Sequence, residues 1–248
     1  MTTSTQPRQT LDEKHHARRF WRRYFSVYDK ANESVHYRTM LARHVELLDP
    51  QPQEQILDAG TGTGNVAEVL LTHGARVIGV DFLESALEVC RRKCPGGDFR
   101  LGDLTGRLDF EDESFTKLAC CNVIYLLKPA DQLHALRELH RVLKPGGQAV
   151  VTVFHRDFSK KELLLSTLAE ERRRAGLTGL ATYLARNGVA ALRILYYISR
   201  LQAQRTAGQY TFFTEEELGD LLGQAGFEVD GIERTLASQC LLAAAHKP

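Results

Sequence analysis

The spacing of apolar residues changes period along this chain, and each change predicts an element. Between Leu11 and Leu48 the pattern is helical: Phe20, Tyr24 and Val27–Tyr28 recur at three- and four-residue steps, as do Trp21, Phe25 and Tyr28. Asn32-Glu33-Ser34 interrupts it, and a second helix runs on through Met40 and Leu47. Asp49-Pro50-Gln51-Pro52 stops that helix, because proline offers no amide hydrogen and clashes with the preceding turn.

An alternation of short apolar runs and amphipathic stretches follows. Strands are predicted at Gln55–Asp58, Arg76–Asp81, Asp98–Leu101, Lys117–Tyr125 and Gln148–Phe154. Helices are predicted at Asn65–Thr72, Ser85–Lys93 and Leu133–Leu143, with a turn at Lys144-Pro145-Gly146-Gly147 before the fifth strand. Strands separated by helices make βαβ units and a parallel sheet, and the nearly continuous apolar strands predict cover on both faces. From Ser159 to Gln209 the strands vanish and only helical pattern remains, as in an insertion over the end of the sheet. Thr214 and Glu217 then form a capping box that opens a helix, and Gly226 suits its left-handed end. Two closely spaced runs, Phe227–Thr235 and Cys240–Ala245, predict an antiparallel pair at the sheet edge. The expected organisation is a frayed tail over residues 1–10 and one domain over 11–248. A helical cap (11–49) and a helical lid (159–209) belong to that domain.

Composition narrows the class without naming it. The 248 residues are 43% hydrophobic and 25% charged, with a net charge of +1, so nothing draws the whole molecule to nucleic acid or an anionic surface. The N-terminus lacks the apolar core of a signal peptide, and no apolar run reaches the ~18 residues of a membrane span. The cysteines Cys90, Cys94, Cys120, Cys121 and Cys240 are odd in number and lack a paired metal-site spacing, so they read as structural thiols and no metal is expected. Reduced thiols suit the cytoplasm.

The candidate chemistry begins at Asp58-Ala-Gly60-Thr-Gly62-Thr-Gly64, where a strand turns tightly into a helix. Such a turn demands positive φ or close backbone approach, which glycine permits. It lies at the carboxyl end of a parallel strand, where open α/β sheets bind ligands. Asp81 ends the next strand about 20 residues on, the place where a carboxylate meets ribose hydroxyls. A dinucleotide fingerprint would put its third glycine at position 65. Here that residue is Asn65 and the glycine comes one place early, which favours a ligand without a pyrophosphate.

With these motifs in order, the sequence resembles the class I methyltransferases that use S-adenosylmethionine (SAM), in particular the type 11 small-molecule group. The resemblance rests on Ile56–Asn65 (ILDAGTGTGN), Val77–Glu88 (VIGVDFLESALE), Leu101–Leu104 (LGDL), Phe110–Leu127, Leu139–Gly147 (LHRVLKPGG) and Phe213–Val229. It implies a Rossmann-like, seven-stranded, mostly parallel sheet with helices on both faces and an antiparallel last strand. It also implies that Gly60 and Gly62 admit the methionine part of SAM and that Asp58 orients its amino end. Asp81 would hold both ribose hydroxyls, Phe82 would pack on adenine, and Asp103 with Leu104 would receive the adenine amino group. Backbone near Cys121 and Asn122 would touch the amino acid part, and S-adenosylhomocysteine would be the product.

SAM carries its own reactive sulfonium, so the protein chiefly places and shields the acceptor. His155, just after the fifth strand, is the candidate general base; a substrate contact or a solvated loop histidine is the plainer reading. Tyr28 sits in a Tyr-Asp pair resembling the family's segment over the SAM site, and a packed aromatic is an equal reading. Tyr24, His36, Tyr37 and Tyr125 are further candidates for the acceptor pocket. The Asn/Asp-Pro-Pro-aromatic signature of base and glutamine methylation is absent, since the chain reads Cys121-Asn-Val-Ile-Tyr125. Arg18, Arg19, Arg22 and Arg23 interleave with Phe20, Trp21, Tyr24 and Phe25. That pattern serves RNA, an acidic substrate, or simply an amphipathic helix. The apolar stretch Gly188–Leu201 packs as a lid, lines an apolar acceptor pocket or touches a membrane surface. The expectation is thus methyl transfer to O, N or C of a small, apolar acceptor by a monomer or homodimer, with no nucleic acid partner. The alternatives are an RNA or protein methyltransferase, a SAM-binding protein with another chemistry, and an NAD enzyme.

Overall fold

The computed structural model describes residues 20, 21, 23–25, 29 and 34–248. Tyr28, the tail and the arginines Arg18, Arg19 and Arg22 lie outside the described residues, and so does the predicted break at Asn32 and Glu33.

Helix α1 (Val35–Leu48) ends at Asp49, whose φ of 45° turns the chain toward Pro50. The alternation then unfolds as β1 (Gln55–Ala59), α2 (Asn65–Thr72), β2 (Arg76–Asp81), α3 (Glu84–Lys93), β3 (Asp98–Leu101), β4 (Phe115–Cys121), α4 (Pro129–Val142) and β5 (Leu143–Phe154). Helices α5 (Lys160–Thr206) and α6 (Glu215–Gln224) precede β6 (Glu228–Thr235) and β7 (Cys240–His246). The seven strands form one sheet in the order β3-β2-β1-β4-β5-β7-β6. All neighbouring pairs from β3 to β5 are parallel, while β7 runs antiparallel to both β5 and β6. The last strand is therefore interior to the sheet, with β6 outside it.

The central strands are apolar because neither face meets water. Ile56, Leu57, Leu118, Ala119 and Val153 are fully buried, and each large aliphatic side chain among them contributes about 1.5–3 kcal/mol by leaving water. Lys117 is buried in β4 yet paired: its Nζ meets Glu54 Oε2 at 3.1 Å and donates to the Asp49 carbonyl, tying the end of α1 to the sheet. The capping box forms as predicted, with the Thr214 hydroxyl accepting from the Glu217 amide and the Glu217 carboxylate accepting from the Thr214 amide.

Three expectations change. The fourth strand stops at Cys121 instead of reaching Tyr125, because Asn122 adopts φ 60° and the chain enters a 3-10 turn over Ile124–Leu126. Asparagine tolerates that left-handed conformation better than most residues. The Lys144–Gly147 turn is absorbed into β5 as a bulge: Phe115 pairs with Leu143 and Lys117 with Gln148, so 144–147 bow out, with Gly146 at φ 72°. The insertion is one helical span broken at Gly176, whose φ of 66° and ψ of −167° suit glycine alone. Its two arms fold back on each other, as Lys160 Nζ donates to Ser199 Oγ at 2.7 Å and Gln202 Nε2 donates to the Phe158 carbonyl at 3.3 Å.

Candidate functional site

The glycine turn joins β1 to α2 with Gly60, Gly62 and Gly64 at φ 75°, 54° and 83°. A side chain at Gly60 would put its Cβ 2.3 Å from Val123 Cγ2. One at Gly64 would meet Cys90 Sγ at 2.5 Å. Cys90 and Cys94 are thus the floor under the turn, buried free thiols whose ionisation burial opposes.

Two carboxylates flank the turn. Asp81 Oδ2 accepts from the Gly62 amide at 3.0 Å and Oδ1 accepts from the Leu83 amide at 2.9 Å. A carboxylate has about four acceptor sites, so half of its capacity remains for a ligand. Asp58 Oδ2 accepts from Thr61 Oγ1 at 2.7 Å. Burial raises both acids to about 6, and for Asp58 the nearby Asp81 charge adds to the rise. Two desolvated acids side by side form a site whose electrostatics are complete only when donors or positive charge arrive.

A cavity of ≈ 1280 Å³ opens from these residues. A drug-sized ligand occupies roughly 300–1,000 Å³, so the space suits two ligands. One end is lined by Asp58, Gly60, Gly62, Asp81, Phe82, Asp103, Leu104, Cys121 and Asn122, the whole set expected for the cofactor. Phe82 is exposed, and the Asp103 Oδ1 accepts from the amide and hydroxyl of Thr105. The other end is walled by aromatic and aliphatic groups: Tyr24 from the cap, Tyr125 from the 3-10 turn after β4, Phe154 from β5, and Leu163, Ile194 and Ile198 from α5. Trp21 packs edge-on against Phe20 and Tyr24, these two stack on each other, and both meet Tyr197 edge-on, so the N-terminal aromatics close the site as a cluster. Trp21 and Tyr24 are only 8% exposed, which removes them as platforms for a nucleic acid base. Burial raises the Tyr24 and Tyr125 hydroxyls far above the ordinary tyrosine range.

The two histidines stand apart. His155 does not line the cavity: it is buried, its Nδ1 accepts from the Asp157 amide at 3.1 Å, and its Nε2 lies 2.8 Å from Arg234 and 3.5 Å from Glu215. It fastens the end of β5 to β6 and α6. His36 Nε2 meets Ser166 Oγ at 2.9 Å and joins α1 to α5, also off the cavity. Tyr37 does line it, with its hydroxyl 3.4 Å from Asn65 Nδ2.

The sequence pattern offers Gly188–Leu201 as one candidate pocket wall but singles out none of the α5 residues that line it. Tyr183, Asn187, Ala190, Ile194 and Ile198 recur at helical spacing and face the cavity together. That periodicity was visible, but apolar residues lie on more than one face of this helix, so the pattern does not announce which face looks inward. Asn187 is 5% exposed and its Oδ1 has no hydrogen-bond partner among the described residues.

Sheet order, glycine turn and paired acids define the class I SAM-dependent methyltransferase fold. Residues 56–147 match the family model described as a methyltransferase domain, so the chain carries that domain. Among relatives, it is 36% identical over 138 residues to a demethylmenaquinone methyltransferase of Clavibacter sepedonicus, covering 52% of this chain and 54% of that one. The chain spans about half the length of the relatives it matches. Solved structures share the fold. One is the 1,6-didemethyltoxoflavin-N1-methyltransferase of Burkholderia thailandensis, solved with its substrate and S-adenosylhomocysteine (TM-score 0.61, 18% identity, 98% of this chain and 93% of that one). Another is a possible histamine N-methyltransferase of Thermotoga maritima (TM-score 0.59, 21% identity, 93% and 99%).

Proposed function

We propose that the protein moves a methyl group from SAM to an O, N or C atom of a small, largely apolar acceptor and releases S-adenosylhomocysteine. The observation that carries this reading is the single cavity that joins the Asp58 and Asp81 end to an apolar wall. SAM, when bound, supplies the electrophilic methyl; the protein's task is to hold both ligands and keep water away.

On this reading Asp81 accepts from the ribose hydroxyls with its free lone pairs, and Phe82 packs on the adenine ring. Asp103 and Leu104 receive the adenine edge. Asp58 orients the amino end, and Gly60 and Gly62 with backbone near Cys121 and Asn122 admit the methionine part. The rest of the cavity holds the acceptor between Tyr24, Tyr125 and the α5 wall, with 159–209 acting as a lid. Asn187 Oδ1 needs a donor, so the acceptor carries an O–H or N–H against that wall. His155 has both nitrogens engaged in the fold, so this reading gives it no proton to take from the acceptor. Five free thiols fit a reducing, cytoplasmic setting.

The test is a SAM-dependent screen of demethylmenaquinone, drawn from the relatives' name, beside phenolic and amine acceptors, with mass spectrometry of products. One methylated product with matching S-adenosylhomocysteine is expected. SAM binding without S-adenosylhomocysteine from any acceptor would overturn methyl transfer in favour of binding or another reaction.

A further inference from the structure

The second arm of α5 has two apolar faces, and the cavity uses only one. Opposite Asn187, Ile194 and Ile198 stand Val189 and Leu192, which are 70% and 69% exposed and off the cavity, with Tyr196 beside them at the cavity rim, 59% exposed. Leu177 and Leu184, nearer the break at Gly176, are also exposed. Large apolar side chains placed in water at helical spacing form a face that lacks a partner among the described residues.

Charge borders that stripe. Arg186, Arg193 and Arg200 fall at i, i+7 and i+14, one row along the helix, and all three are exposed. Arg172, Arg173 and Arg174 cluster exposed beside the break. From Arg172 to Thr214 the chain has seven arginines and no aspartate or glutamate, although the whole molecule carries only +1. No described helix is long and apolar enough to cross a membrane. An exposed apolar stripe flanked by arginine is the composition of a helix that lies in a bilayer interface.

We propose that the outer face of this arm docks on an anionic lipid surface. Val189, Leu192 and Tyr196 enter the acyl boundary, and the arginine row meets the phosphate groups. A second copy of the chain fits this face poorly, because a two-fold contact would bring the same arginine-rich surface against itself. Docking here sets the cavity wall against the bilayer, since the inner face of the same helix lines that cavity.

The full-length protein, without SAM, is sedimented with vesicles of phosphatidylcholine and with vesicles holding about 30 mol% phosphatidylglycerol. Binding to the anionic vesicles that weakens as salt rises is expected, with little binding to the neutral ones. Leu192→Asp should cut it about tenfold or more, through lost apolar burial. The double variant Arg186→Glu, Arg193→Glu should cut it about 30-fold or more, at about 1 kcal/mol per lost cation. None of these three side chains lines the cavity, so unchanged unfolding midpoints and SAM affinity would show intact variants. Failure to bind anionic vesicles, equal binding to neutral ones, or indifference to both variants overturns the proposal. So does a dimer in sedimentation velocity that Leu192→Asp dissolves. Vesicle binding is read without methyl transfer, so its failure leaves the enzymatic reading untouched.

Discussion

At the scale of single residues, the site is a set of groups held against their preference. Asp81 has two backbone donors and unused lone pairs, so Asp81→Ala should weaken SAM binding about 10- to 100-fold, in line with about 1.5–3 kcal/mol for a charge-assisted hydrogen bond. Calorimetry on a folded variant that found wild-type affinity would remove Asp81 from the site. Asp58 and Asp81 both titrate near 6 because burial favours their neutral forms. Ribose hydroxyls and the ligand's positive charge favour the ionised forms, which dominate at pH 7 and are the minority at pH 5. SAM affinity should therefore fall on acidification across that window, about tenfold for each carboxylate that must ionise, with proton release seen by calorimetry in two buffers. A flat profile would mean that neither acid changes state on binding. Asn187 lines the cavity, so Asn187→Leu should raise the acceptor's KM several-fold at unchanged SAM affinity. An unchanged KM would mean that Asn187 does not meet the acceptor.

At the scale of elements, α1 rests on β5 through a histidine. His44 is fully buried with Nδ1 2.8 Å from Thr152 Oγ1, its Nε2 has no partner among the described residues, and burial lowers its pKa to about 3. Its folded pKa lies below the unfolded value near 6.5, so its contribution is complete above pH 6.5 and is lost as pH falls toward 3. The acids at the turn, raised by folding, act with the opposite sign below pH 6. Comparing wild type with His44→Gln isolates the histidine: the wild type's relative stability should drop by roughly 2 kcal/mol between pH 7 and 5 in urea titrations. A constant difference would mean that His44 reaches water. The boundaries of α2, β2 and β3 were legible to the residue, because glycine, aspartate and a change of apolar period mark them. The end of β4 was not. Nothing in Cys121-Asn-Val-Ile-Tyr125 signals that Asn122 turns left-handed until Val123 is seen packed against Gly60.

At the scale of the molecule, the sheet closes through its last strand. β7 pairs with β5 along Gln148–Phe154 and with β6 on its other side, so the C-terminal segment holds both. Ending the chain after Thr235 would remove β7, leaving unpaired edges on β5 and β6 and taking Leu241, Leu242 and Ala243, all fully buried, out of the core. Such a truncation should be insoluble or molten, with lost near-ultraviolet dichroism; a soluble, cooperatively unfolding fragment would show that β7 is dispensable. The site depends on this closure too. His155, at the end of β5, is locked by Arg234 of β6 instead of facing the ligand space.

The sequence by itself determined the alternation, the glycine turn with its acid, and the capping box. These are local matters: a period of two or 3.6, a required positive φ, a side chain that reaches its own backbone three residues away. Tertiary structure decided which of the apolar faces of α5 looks inward, where His155 and His36 spend their nitrogens, and that Asn187 is buried against the cavity. Those outcomes depend on elements far apart in the chain meeting in space, and no local pattern carries that distance.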